Sequence, residues 1–347
     1  MRAARQTLLS LLAMFVFIGC GQAAESADKK GKFLGAMPTE YPAWFKESFL
    51  DFKEDVADAA AKGKRLMVLF HQDGCPYCNA LVERNLSQKD IEQLVKKNFD
   101  VVALNMWGDR EVASIGGKQY TEKSFAAALK VQFTPTILFF NEEGKMILRL
   151  NGYLPPKRFK VALNYVAEKQ EAKLSYQDYM AKHLPPGKDG ELYSQDFFLP
   201  KPYDLSRKAG KNKPFAIFFE QVDCPNCETL HKKVLVDAGL RDTIKQFDTV
   251  QLDMWSDTPV IRPDGIRTTA RQLAKQLDVK YAPTIVIFNE KGEEVIRSEA
   301  FFKVFHTRGL LQYVVSGSYQ KQPNFQRYLS DLAHDIQATG KDVDIWQ

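Results

Sequence analysis

The sequence predicts an α/β protein made of two tandem copies of one fold, each a mixed central sheet flanked by helices. Three observations carry that prediction: an internal repeat, short apolar runs alternating with helical stretches, and a pair of strands joined by a turn near the end of each copy. Val68-Leu69-Phe70 with Cys75-Pro76-Tyr77-Cys78 returns as Ile217-Phe218-Phe219 with Cys224-Pro225-Asn226-Cys227, offset by 149. Asn105-Met106-Trp107-Gly108-Asp109 returns as Asp253-Met254-Trp255-Ser256-Asp257, offset by 148. The same 148 relates Thr134-Pro135-Thr136-Ile137 to Ala282-Pro283-Thr284-Ile285, and Phe140-Asn141-Glu142-Glu143-Gly144 to Phe288-Asn289-Glu290-Lys291-Gly292. Four blocks in one order, with one net gap, are a duplication.

Residues 1–20 read as an export signal of the lipoprotein type. Arg2 and Arg5 precede a mostly apolar stretch from Thr7 to Gly19, too short for the roughly 20 residues that cross a bilayer. The stretch ends Phe17-Ile18-Gly19-Cys20, similar to a bacterial lipobox, so Cys20 is the expected site of lipid attachment. Phe17 stands where such sites usually have Leu, and cleavage after Ala23 or Ala24 is the alternative. Either route places the protein in the periplasm or cell envelope, and the first gives it a lipid anchor.

The first domain is expected over residues 36–172. Arg65 to Phe70 is too short and too uniformly apolar for a surface helix and reads as a buried strand. Pro76 suits the first turn of a helix, where its missing N–H costs nothing. Asp100 to Asn105 is a second strand, and Thr121 caps a short helix running to about Lys130. Thr136–Phe140 and Met146–Leu150 form a hairpin around Asn141-Glu142-Glu143-Gly144, and Phe159 to Glu168 closes the copy as a helix. Residues 173–212, with Pro185-Pro186-Gly187 and Pro200, read as a linker. The second domain, 213–318, repeats the pattern with strands Phe215–Phe219 and Thr249–Asp253, a helix capped by Thr268 and running to about Leu277, and a closing helix Arg308–Val315. Residues 319–347 form a C-terminal extension with a helix over Asn324 to Ala338.

The chain of 347 residues has a formal charge of +5, about +3 without Arg2 and Arg5, and its basic residues are interspersed with acids. That balance excludes nucleic acid as a partner. Ile115-Gly116-Gly117-Lys118 lacks the spacing of a phosphate loop and reads as a turn.

The cysteines carry the chemistry. Apart from Cys20, all four lie in the two Cys-Pro-x-Cys motifs, at equivalent positions of the repeat. Thiol–disulfide exchange needs an attacking thiolate, which a helix N-terminus favours, and a second thiol one turn below to resolve the mixed disulfide. Cys75 and Cys224 are therefore the expected nucleophiles, exposed, and Cys78 and Cys227 the resolving cysteines. The competing reading is a metal site. Zinc is disfavoured because a whole domain separates the pairs, and copper because Met106 and Met254, beside Trp107 and Trp255, read as strand-end packing. No metal and no cofactor are expected. His71 and His231 lie near the pairs and are candidates for tuning the thiolates.

Pro135 and Pro283 open apolar strands, an odd place for proline, 60 and 59 residues after the first cysteine of each copy. An apolar strand, Cys-x-x-Cys and x-Pro-Thr together resemble thioredoxins. The first copy is closer still to the SoxW-type periplasmic thioredoxins, through Cys75-Pro76-Tyr77-Cys78, Asn105-Met106-Trp107-Gly108-Asp109, Phe133-Thr134-Pro135-Thr136 and Gly152-Tyr153-Leu154-Pro155. The resemblance spans roughly residues 64–168 and 213–316. It implies two thioredoxin folds with cis peptides at Thr134–Pro135 and Ala282–Pro283, each facing its cysteine pair and offering backbone to an incoming peptide. Three departures stand out. Gly74 and Asp223 replace the Trp before the first cysteine. Leu69 and Phe218 replace the buried acid, leaving water, His71, Asp73 or Glu220 to move protons. Segments 108–120 and 256–267 are insertions relative to plain thioredoxin, read either as shaping what docks near the pair or as bare surface loops. The resemblance implies an enzyme that reduces oxidised thiols on envelope proteins, a sulfur-carrier protein among them, with electrons from a membrane thiol transporter. A disulfide isomerase or oxidase is the alternative, and a copper-binding or thiol-chaperone module a third.

Overall fold

Each of the two four-stranded sheets is organised by an inner strand whose side chains alternate between two apolar layers. The computed structural model describes residues 30–187, 190–207 and 213–347. Cys20 and the expected export signal lie outside them. In chain order the first part contains β1 (Phe33–Leu34), α1 (Phe52–Ala61), β2 (Arg65–His71), α2 (Pro76–Ala80), α3 (Lys89–Asn98), β3 (Phe99–Asn105), β4 (Glu111–Ala113), β5 (Gln119–Thr121), α4 (Glu122–Ala128), β6 (Thr136–Phe140), β7 (Met146–Asn151), α5 (Pro156–Ala167) and α6 (Tyr176–His183). The second contains β8 (Tyr203–Asp204), β9 (Phe215–Glu220), α7 (Pro225–Thr229), α8 (Ala238–Ile244), β10 (Asp248–Asp253), β11 (Pro259–Ile261), β12 (Arg267–Thr269), α9 (Ala270–Gln276), β13 (Thr284–Phe288), β14 (Glu294–Ser298), α10 (Val304–Val315), α11 (Phe325–Ala338) and β15 (Val343–Asp344).

The two main sheets have the same order, β3-β2-β6-β7 and β10-β9-β13-β14. β2 pairs parallel with β3 and antiparallel with β6, and β9 does the same with β10 and β13. Strands covered on both faces read as unbroken apolar runs, which is why Leu66 to Phe70 and Phe215 to Phe219 look as they do. The period of two sends Leu66, Val68 and Phe70 to a layer with Phe52 and Phe125, and Met67 and Leu69 to one with Phe139 and Phe159. The fold class is therefore as expected: two α/β domains around mixed sheets.

Several details differ from the expectations. The second-copy helix α9 is capped by Thr269, whose hydroxyl accepts from the Gln272 N–H, while Thr268 lies within β12. Helices α5 and α10 begin at Pro156 and Val304, earlier than the apolar spacing suggested; in α5 Pro156 sits at N1, where proline is tolerated. The insertions fold as hairpins, β4–β5 and β11–β12, and β11 also takes β8 as a parallel partner. The stretch expected as linker is structured at both ends: α6, capped by Ser175, packs Tyr176, Tyr179 and Met180 into the first domain, and β8 joins the second. Its i, i+3, i+4 apolar spacing was the available signal. β1 and β15 pair in parallel, so segments from the two ends of the described chain meet.

Candidate redox sites

Both cysteine pairs sit where a central strand gives way to a helix. Cys75 and Cys224 are the N-cap residues of α2 and α7, each followed by Pro at the first helical position. The Cys75 Sγ accepts from the Cys78 N–H at 3.0 Å, and the Cys224 Sγ from the Cys227 N–H at 3.1 Å. The same donors would hold a thiolate once the pair is reduced. Here Cys75–Cys78 and Cys224–Cys227 are disulfide-bonded. Both helices continue into a π-helical turn, at Leu81–Leu86 and Leu230–Val234.

The Thr134–Pro135 and Ala282–Pro283 peptides are cis, as is Lys201–Pro202, which the sequence did not suggest. Thr136 and Thr284 lock the loops by donating to the Phe133 and Tyr281 carbonyls at 2.8 and 2.7 Å. The loop of the first domain touches its cysteine: the Thr134 hydroxyl donates to Cys75 Sγ at 3.3 Å, and the Thr134 carbonyl lies 3.6 Å from the same sulfur. Ala282 has no hydroxyl to do this at the second pair.

The sites differ in what covers them. Neither first cysteine is exposed, contrary to expectation: Cys75 is 3% accessible and Cys224 2%. Cys224 lies in the second domain's apolar layer with Phe219, Met254 and Ala282. Beside it Gly187 donates to the Val222 carbonyl, while Pro225 and Asp223 remain exposed at the rim. At the first pair Pro76 and Tyr77 are buried as well. The Tyr77 ring packs edge-on against Phe302, His306 and Trp346, and its hydroxyl accepts from the Lys303 N–H at 3.0 Å. All of those partners come from the second domain and its C-terminal extension.

The reason is a pseudo-two-fold contact between the repeats. Asn151 Nδ2 donates to Glu299 Oε2, and the room beside Gly152 is filled by Ala300; each residue faces its own counterpart 148 positions away. Phe133 stacks obliquely on Phe302, and its counterpart Tyr281 is buried in the first domain's core cluster with Leu154. Arg158 donates to the Ala282 carbonyl, the group just before cis Pro283.

The proton-transfer candidates separate clearly. His71 stacks on Tyr41, and burial pushes its pKa down. Asp73 is exposed. Glu220, fully buried, is held by His231 at 2.9 and 3.1 Å and by Gln251 at 3.1 Å, and burial pushes its pKa up. His231 is thus engaged with this carboxyl. Met106 and Met254 are buried core residues, while Trp107 and Trp255 each donate to a glutamine, Gln72 and Gln221, beside the cysteine loop. Among the described residues no cluster of three or more potential metal ligands exists. Sequence reasoning did not single out Thr134, Tyr77, Arg158 or His306. A hydroxyl before the cis proline was the one legible signal among them.

Each copy matches the family model for a thioredoxin-like domain, at residues 52–167 and 202–314. The chain belongs to the thioredoxin-like family. The second match begins at residue 202, so it takes in β8. No curated protein sequence matches this tandem thioredoxin-like protein. Among solved structures it is similar to a thioredoxin-fold protein from Helicobacter pylori, with 22% identity over 39% of this chain and 91% of that one and a TM-score of 0.31. A thioredoxin from Thermus thermophilus shares 23% identity over 40% of this chain and 89% of that one, with a TM-score of 0.29. A disulphide isomerase from Xylella fastidiosa shares 16% over 43% and 96%, with a TM-score of 0.24. Family and cysteine pairs together make the chain a thiol–disulfide oxidoreductase in the general sense.

Proposed function

We propose that this protein is a cell-envelope reductant of oxidised thiols, working through two dithiol sites and held to a membrane by a lipid on Cys20. Cys75 and Cys224 attack a substrate disulfide, forming a mixed disulfide. Cys78 and Cys227 then attack that bond, release the reduced product and leave the protein oxidised. Pro135 and Pro283 shape the backbone that meets the substrate. Electrons return from a membrane thiol transporter. The observation that carries the reading is the pairing of each Cys-Pro-x-Cys helix start with a cis-proline loop, in both copies. The deciding experiment is the equilibrium reduction potential of each pair, in variants that keep only one. Values near or below about −270 mV fit a reductant, whereas values of about −120 to −180 mV make the protein an oxidase or isomerase.

A further inference from the structure

The cysteine pair of the first domain opens into a cavity of about 520 Å³ that both domains wall. Cys75, Trp107, Phe133 and Thr134 form one side, and Phe302 and His306 with the inner face of α11 form the other. That volume lies within the usual range for small-molecule sites. The approach a protein substrate would use is narrowed by the second domain and its extension. Beside the cis-proline loop the Phe133 ring is packed against the rings of Phe302 and Phe325. The start of α11 is pinned to the preceding residue. Gln132 accepts from the Phe325 N–H at 2.7 Å, donates to the Pro323 carbonyl at 3.1 Å, and offers its own carbonyl to Gln326 at 3.1 Å. Gln326 also accepts from Gln72 at 2.8 Å, and Arg327 lies over the Trp107 ring. Within the chamber His306 Nδ1 has no hydrogen-bond partner, although the residue is 9% exposed.

We infer that the Cys75–Cys78 site favours low-molecular-weight disulfides over folded protein substrates, with α11 and the start of α10 as the limiting wall. This rests on the oxidoreductase reading above and assigns the substrate class of one of its two sites. In the reduced protein the Cys75 thiolate attacks one sulfur of R–S–S–R. A Cys75–S–S–R bond forms, and the first RS⁻ leaves and takes a proton from water. Cys78 loses its proton to solvent and attacks Cys75 Sγ, breaking the Cys75–S–S–R bond and expelling the second RS⁻, which is protonated from solvent. The protein dithiol is oxidised by two electrons, and the small disulfide becomes two thiols. The aromatic walls hold the body of R.

The test uses reduced full-length protein carrying Cys224→Ser and Cys227→Ser, mixed without other reductant with hydroxyethyl disulfide or with insulin. Oxidation of the remaining pair is followed by thiol alkylation and mass, and each rate is divided by that of dithiothreitol with the same disulfide. The normalised rate with hydroxyethyl disulfide should exceed that with insulin by about tenfold or more. Ser330→Trp fills the cavity from an exposed position of α11 and should lower the hydroxyethyl disulfide rate by about tenfold. Equal normalised rates, or no effect of Ser330→Trp in protein that folds, would overturn the assignment. Absence of reaction with either disulfide, here and in the Cys75→Ser, Cys78→Ser protein, would instead overturn the oxidoreductase reading itself.

Discussion

Thr134 and Ala282 hold equivalent positions before the two cis prolines, and the hydroxyl that distinguishes them reaches Cys75 Sγ. A hydrogen bond to a charged group contributes about 1.5–3 kcal/mol, so in the reduced protein this hydroxyl favours the thiolate. Thr134→Val should therefore slow alkylation of Cys75 by iodoacetamide about tenfold at neutral pH. An unchanged rate would show that the hydroxyl does not serve the reduced sulfur. His306 gives a second test. Burial pushes its pKa down from 6.5 to about 4. The unfolded chain takes up this proton as pH falls through 6.5, while the folded imidazole stays neutral until about 4. Stability present above pH 6.5 is thus lost progressively on acidification toward 4, by at most about 3 kcal/mol. Urea midpoints measured across that window should fall in the wild type and flatten in His306→Gln. The residue was readable in the sequence only as one of five scattered histidines, because its burial is made by the packing of two domains.

Among the elements, the turn after β7 is under a double demand, of conformation and of space. Gly152 has φ of +86°, and a Cβ there would come within 2.7 Å of the Ala300 Cβ across the domain contact. Gly152→Ala should cost about 1–3 kcal/mol in chemical denaturation. Gly117 makes a control, since its φ of +80° lies in the same region with nothing within 4 Å. Gly117→Ala should show the backbone cost alone, and the difference between the variants reports the contact. The central strands were legible at this scale because burial on both faces leaves no polar residue to interrupt them. Thr121 was legible as a cap because its hydroxyl takes the Ser124 N–H and Ser124 returns the bond, a local exchange. Thr268 and Thr269 could not be told apart by composition, since either hydroxyl can cap. The two ends of the linker differ in this respect. α6 packs on its neighbour α5 through Tyr165, Tyr176 and Tyr179 and carried a local apolar spacing, whereas β8 is two residues long and is held by β11, distant in sequence.

For the whole molecule, the repeat was enough to reveal two domains and the positions of both cysteine pairs. It could not reveal that the catalytic side of one domain is roofed by the other. That relation depends on how Tyr77, Phe133, Phe302 and Trp346 meet in space, and singly each reads as an ordinary aromatic. It also explains why the exposed first cysteine expected from the motif is absent at Cys75. The parallel pairing of Phe33–Leu34 with Val343–Asp344 adds a geometric consequence. Phe33 within that pairing and Ile345 just after it both line the cavity at Cys75. The lipid proposed at Cys20 would therefore keep Phe33, and with it the chamber mouth, within about 45 Å of the membrane, the most that thirteen residues can span. Small disulfides near the bilayer surface would meet the first site within that reach, and the membrane would bound the space from which they come.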